Sequence, residues 1–122
     1  MTTNFPDEVI LSGGNFATVC FLGAIQSLTD KNKFSISKVN RWVGTSGGAV
    51  IALLLSIGYT PNRILNIFKQ IPLNKLSPLN SEKWLRLFDD YGLHDTKIFT
   101  DLFALMLENV DIPRNISFSE FY

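Results

Sequence analysis

Apolar and polar positions fall along the first half of this chain in a block that occurs twice. Glu8 to Leu11 is short, mostly apolar and β-branched, and reads as a buried strand. Ser12-Gly13-Gly14-Asn15 breaks it, and from Phe16 to Leu28 apolar residues return around most of a helical wheel. Small and large residues interleave there at Val19, Leu22, Gly23 and Gln26, which predicts a helix buried on more than one side. A charged, polar connection covers Asp30 to Lys38. The block then repeats: Trp42-Val43 as strand, Gly44-Thr45-Ser46-Gly47-Gly48 as glycine break, and an uncharged apolar run from Ala49 to Ile57 as helix. Strand, glycine turn, helix, taken twice, is a βαβα unit, which predicts a parallel sheet with a right-handed crossover. Both glycine turns then fall on the carboxyl edge of the sheet, where such sheets bind ligands.

The pattern changes after Gly58, which is placed to end the second helix. Thr60-Pro61 supplies an N-cap and a first-turn proline for a helix to about Gln70, with Ile64, Leu65, Ile67 and Phe68 apolar. Ile71 to Leu79 is a proline-punctuated loop. Asn80 or Ser81 caps an amphipathic helix carrying Trp84, Leu85, Leu87 and Phe88, and Gly92 interrupts it. Asp95 or Thr96 caps a last long helix to about Asn109, where Ile98, Phe99, Leu102, Phe103 and Met106 recur at helical spacing and read as core. Only two segments read as strands. A parallel pair alone leaves two open edges, so the helices ask for a larger sheet than these segments supply.

Composition narrows the class. At 122 residues with 46% hydrophobic content, the chain is one domain at most and has enough apolar material for a core. Eleven basic and eleven acidic residues cancel, which argues against a nucleic-acid partner or a strongly anionic membrane surface. Cys20 is the single cysteine, so no internal disulfide forms; within its apolar pattern it reads as a small core residue, in keeping with a reducing compartment. The uncharged stretch from Val9 to Leu28 is broken by Ser12, Gly13, Gly14, Asn15 and Thr18, and Asp7 and Glu8 precede it where a signal peptide needs Lys or Arg. The run from Ala49 to Ile57 is too short to span a bilayer. The expectation is a soluble, cytoplasmic chain without a transmembrane segment, whose Asn115-Ile116-Ser117 sequon is idle. No metal-ligand spacing and no phosphate loop with lysine is present, so neither metal nor cofactor is implied.

The second glycine turn carries the candidate chemistry. Gly44-Thr45-Ser46-Gly47-Gly48 is G-x-S-x-G between a predicted strand and a predicted helix, the context of a nucleophile elbow. A serine on so tight a turn needs small neighbours at minus two and plus two, here Gly44 and Gly48. Its Oγ then stands at a helix N-terminus, where free N–H groups and the helix dipole favour developing negative charge. The same five residues also satisfy a flexible turn between a strand and a buried helix. An anion-binding module is a further reading, since glycine turns at helix N-termini hold phosphate, though no Walker-type lysine follows either turn.

Taken together, residues 9–28 and 39–60 resemble the patatin-like phospholipases. That family carries a glycine-rich oxyanion loop, S/D-G-G-G-x-K/R-G, after one strand and G-T-S-x-G after the next. The counterparts here are Ser12-Gly13-Gly14-Asn15-Phe16-Ala17-Thr18, with Gly23 continuing the helix pattern, and Gly44-Thr45-Ser46-Gly47-Gly48-Ala49, followed by Gly58-Tyr59-Thr60-Pro61. Gly92-Leu93 and Ile116-Ser117-Phe118 are similar to later landmarks, so the resemblance covers nearly the whole chain. It implies an α/β fold, the parallel-sheet three-layer patatin-like hydrolase, truncated here before the later strands: a partial domain over 1–122 with an oxyanion loop at 12–18 and an elbow at 44–48.

The activity implied is lipid acyl hydrolysis of a phospholipid or acylglycerol ester by a Ser–Asp dyad, with transient membrane-surface contact. Ser46 would be the nucleophile, and the backbone N–H groups of Gly13, Gly14 and Asn15, together with Gly47, would hold the oxyanion. A dyad needs no histidine, and the single one, His94, reads as a solvated loop residue with a base role as the alternative. Asn15 replaces the third oxyanion glycine, Ala17 the usual cation and Thr18 the following glycine. The family's aspartate lies in D-G-G or D-G-A, and no such motif is present. Asp7, Asp30, Asp89, Asp90, Asp95, Asp101 and Asp111 all sit in capping, loop or helix-surface contexts, and none is nominated as base. The alternative function is a non-catalytic relative that keeps the elbow for its structural role and binds lipid or a protein partner.

Overall fold

A computed structural model describes residues 5–70 and 97–121. The chain divides into two compact units, Met1–Ile71 and Pro72–Tyr122.

The first unit is α/β. Strand β1 (Glu8–Leu11) lies parallel to β2 (Arg41–Gly44), with Glu8 opposite Arg41, Val9 opposite Trp42, Ile10 opposite Val43 and Leu11 opposite Gly44. Side chains alternate across a strand, so Val9, Leu11, Trp42 and Gly44 share one face and Glu8, Ile10, Arg41 and Val43 the other. The first face is the covered one, and Phe34, itself buried, meets Trp42 edge-on with ring centroids 6.5 Å apart. The second face is open: Ile10 is 72% exposed, and a 3.3 Å Arg41–Glu8 ion pair crosses the same surface.

Between the strands, a turn of 3₁₀ helix over Asn15–Thr18 runs into α1 (Val19–Asp30). The expectation that this helix is buried on more than one side is not met. Leu22 and Ile25 are its buried residues, spaced by three along a single stripe, while Cys20, Gly23 and Ala24 are exposed. Cys20 is therefore not a core residue: two positions before Leu22, it lies about 200° around the helix from it.

Helix α2 (Gly47–Ser56) packs on both strands and forms the centre of the unit, burying Ile51, Ala52, Leu54 and Leu55. It ends as the sequence requires. Gly58 takes φ of 96°, its N–H donates to the Leu55 carbonyl at 3.2 Å, and the Tyr59 N–H reaches back to Leu54 at 3.0 Å. These two bonds make a Schellman close, whose positive φ costs any residue but glycine. Thr60 then caps α3 (Pro61–Gln70), accepting the Arg63 N–H on its Oγ1 at 3.3 Å. Tyr59 is buried below, with the Arg63 guanidinium 4.4 Å from its ring centroid.

In the second unit α4 (Lys97–Glu108) carries the apolar stripe, but of the described residues read as core Met106 alone is seen buried, Leu102 and Phe103 being half-buried and Phe99 exposed; α5 (Phe118–Phe121) is a single turn. The Glu120 carboxylate accepts both the Ser117 N–H at 3.0 Å and the Ser117 Oγ–H at 2.6 Å, the carboxylate half of a capping box. The loop predicted from Ile71, the helix predicted from Asn80 or Ser81, Gly92 and His94 lie outside the described residues. Among the described residues no helix is long and apolar enough to cross a membrane.

The position of α2 sets a stability test. Leu54 is 0% exposed, so Leu54→Ala is expected to cost roughly 2–5 kcal/mol in denaturant titration. Ile10→Ala, on the open face, is expected to stay within about 0.5 kcal/mol of the parent.

Candidate active site

The two glycine turns meet. The register of the sheet brings Leu11 level with Gly44, so the loop after β1 and the turn after β2 leave the sheet side by side. They are tied there by a backbone hydrogen bond, from the Thr45 N–H to the Leu11 carbonyl at 3.1 Å.

Ser46 stands on the elbow at φ 54° and ψ −127°, a conformation that costs a non-glycine residue on the order of 1–3 kcal/mol. The first turn of α2 holds that strain in place. The Ser46 carbonyl accepts the N–H groups of Ala49 at 2.9 Å and Val50 at 3.4 Å, and the Thr45 carbonyl accepts that of Gly48 at 3.0 Å. The helix is thus wound from the serine onward, with the side chain exposed at its N-terminus and not used as a cap. That terminus carries the equivalent of about half a positive charge.

The glycine loop supplies the facing wall. At Gly13 an added Cβ would come to 3.2 Å from Ser46 Cβ and 3.9 Å from Ser46 Oγ, so the Gly13 backbone lies directly beside the hydroxyl. At Gly14 an added Cβ would meet the turn that follows, with Thr18 Cγ2 at 3.6 Å and Ala17 Cβ at 4.0 Å, and the Gly14 carbonyl accepts the Ala17 N–H at 3.0 Å. Asn15 opens the 3₁₀ turn that carries the loop away into α1. Among the described residues, the N–H groups of Gly13, Gly14, Asn15 and Gly47 donate to no backbone carbonyl. Ala17 is exposed at the position of the missing cation, and Thr18 is buried.

Gly44 and Gly48 are both at closest approach, to different neighbours. A Cβ at Gly44 would lie 2.5 Å from Ala49 Cα, Ala49 N and the Gly48 oxygen. A Cβ at Gly48 would run into the Leu11 and Ser12 carbonyl oxygens. Sequence reasoning missed the part played by Leu11, Ser12 and Thr45, because they act through backbone atoms that leave no mark on residue choice.

No acid of the first unit's described residues is at hand. Asp7 and Glu8 lie at the start of β1, the opposite end of the sheet from Ser46, and Glu8 is taken by Arg41. Asp30 accepts Gln26 Nε2 at 2.8 Å at the far end of α1. Asp89, Asp90 and Asp95 lie outside the described residues. A cavity of about 350 Å³ between α1 and α3, lined by Leu22, Gln26, Asp30, Pro61 and Leu65 among others, contains none of the residues named for the site.

Comparison with known proteins bears on the same turns. The family model described as patatin-like phospholipase matches residues 9–122. A protein of Invertebrate iridescent virus 6 named "Probable lipid hydrolase 463L" is 30% identical over 116 residues, covering 93% of this chain and 38% of the viral protein. An uncharacterized protein of Acanthamoeba polyphaga mimivirus is 26% identical over 114 residues, again 93% of this chain and 38% of the relative. One of Bacillus subtilis is 28% identical over 92 residues, 70% of this chain and 30% of the relative. The chain therefore spans well under half the length of these relatives. No solved structure matches it significantly.

The strain at Ser46 can be measured. Ser46→Gly relieves a left-handed residue and is expected to raise stability by about 1 kcal/mol, the greater freedom of glycine in the unfolded chain offsetting part of the gain. Ser46→Ala keeps the Cβ and is expected to stay within about 0.5 kcal/mol of the parent, both read from denaturant midpoints.

Proposed function

The chain belongs to the patatin-like phospholipase family, and from that premise we propose that it carries the nucleophile and oxyanion loop of a lipid acyl hydrolase acting on a phospholipid or acylglycerol ester. The observation that carries the reading is Ser46, strained and exposed at the N-terminus of α2, with the Gly13 backbone beside its hydroxyl.

In this reaction Ser46 Oγ bonds to the ester carbonyl carbon and gives up its proton to a general base. The carbonyl oxygen takes the negative charge and is held by the N–H groups of Gly13, Gly14, Asn15 and Gly47, donors typically worth a few kcal/mol of barrier each. Collapse of that intermediate breaks the bond to the leaving alkoxide, which takes up a proton, and water then hydrolyses the acyl-serine. In the Ser–Asp dyad of the proposal the base is an aspartate, and we assign it to no described residue. The substrate is a lipid ester at a membrane surface, the protein working from the cytoplasmic side within the three-layer fold of the family. Neither metal nor organic cofactor enters the reaction.

Asn15, Ala17 and Thr18, at positions where the family pattern has glycine, a cation and glycine, favour a second reading, a non-catalytic domain that binds lipid or a partner. A fluorophosphonate probe separates the two. Catalytic competence predicts a single phosphonylated residue, Ser46, in intact-mass and peptide spectra, with labelling falling to background in Ser46→Ala. Absence of label on the folded parent chain, with retained lipid binding, would establish the non-catalytic reading.

A further inference from the structure

Gly44 and Gly48 flank Ser46 symmetrically in the sequence, and tightness of the turn accounts equally for both. Their surroundings are not equivalent. The three atoms nearest a Cβ at Gly44 belong to the elbow and the first turn of α2: Ala49 Cα, Ala49 N and the Gly48 oxygen, each at 2.5 Å. Beyond the backbone of α2 itself, the three atoms nearest a Cβ at Gly48 belong to the other loop: the Leu11 and Ser12 carbonyl oxygens, and the Leu11 carbonyl carbon at 2.8 Å. These are backbone atoms, which cannot swing aside as a side-chain tip can. The Leu11 carbonyl is also the acceptor of the Thr45 N–H, and Ser12 is bonded to Gly13, which lies beside Ser46.

We propose that Gly48 is a positioning residue for the oxyanion loop: it sets how closely the Ser12–Gly14 backbone stands to Ser46, whereas Gly44 serves only the elbow turn. This rests on the reading of that loop as the oxyanion site. A methyl group at position 48 would displace Leu11 and Ser12 outward and carry the N–H groups of Gly13 and Gly14 away from the place of the developing charge. Donors act on that charge only within about 3 Å, and a displacement of about 1 Å is enough to cost two orders of magnitude in rate. A methyl group at position 44 would instead open the turn that makes the serine available.

The test compares Gly48→Ala and Gly44→Ala in the full chain by ¹⁵N amide spectra, hydrogen exchange at Thr45 and the rate of Ser46 phosphonylation by a fluorophosphonate. For Gly48→Ala the expected result is shifted Gly13 and Gly14 amide resonances, faster exchange of the Thr45 amide and phosphonylation slowed by about tenfold or more, with the Leu54 and Leu55 resonances in place. For Gly44→Ala it is a perturbation confined to Ser46–Ala49, with a lowered melting temperature. The proposal is overturned if folded Gly48→Ala keeps the parent's Gly13 and Gly14 resonances and labelling rate, or if Gly44→Ala moves those two amides as far. Should the parent chain take no label, the hydrolase reading fails, while the amide shifts still decide the positioning role. Should Gly48→Ala not fold, a crystal structure of the parent decides it: Gly48 Cα in contact with the Leu11 and Ser12 oxygens upholds the proposal, and separation from them overturns it.

Discussion

The close approach of α2 to the end of β1 is the constraint on which the first unit depends. Gly48 lies where any side chain would strike the Leu11 and Ser12 carbonyls, and the Thr45 N–H closes on the Leu11 oxygen at 3.1 Å. One hydrogen bond and one missing methyl group hold two loops that are remote in sequence at a fixed separation. The parallel pairing of β1 and β2 brings the loops to the same edge, but pairing alone leaves their spacing open. The contact at Gly48 supplies the last increment, and the Gly13 backbone comes to lie beside Ser46 as a result.

The elbow stores strain, and the surrounding structure is arranged to hold it. Ser46 in a left-handed conformation is opposed by the winding of α2 directly behind it, whose Ile51, Leu54 and Leu55 are almost wholly withdrawn from water. Burial of several such side chains, at about 1.5–3 kcal/mol each relative to exposure, outweighs the strain of one backbone residue. The helix that holds Ser46 in place is therefore also a main source of the unit's core. The open sheet face has no such share: Ile10 lies on it largely uncovered, and Val43 is exposed beside it.

Membership of the patatin-like family gives these features a common purpose without transferring every detail. The glycine loop departs from the family pattern at Asn15, Ala17 and Thr18. The first two glycines and the elbow, which need close backbone approach, are the parts retained. The 3₁₀ turn over Asn15–Thr18 shows how the chain leaves the loop once Gly13 has passed the serine.

The sequence by itself determined the local elements and their order. Alternating apolar blocks with glycine breaks specified both strands, and Gly58 with Thr60-Pro61 specified the close of α2 and the start of α3, because caps and turns depend on residues adjacent in the chain. It also marked Ser46, since G-x-S-x-G between strand and helix is a local steric demand. Burial was less legible. Cys20, Gly23 and Ala24 belong to a helix whose apolar pattern predicts burial on more than one side, yet only the Leu22–Ile25 stripe is buried, because the side that is covered depends on which neighbours arrive. The distinct duties of Gly44 and Gly48 were equally hidden. Both look alike in the motif, and only the tertiary structure, by bringing the Leu11 and Ser12 carbonyls against one of them, decided that Gly44 closes a turn and Gly48 admits a second loop to it.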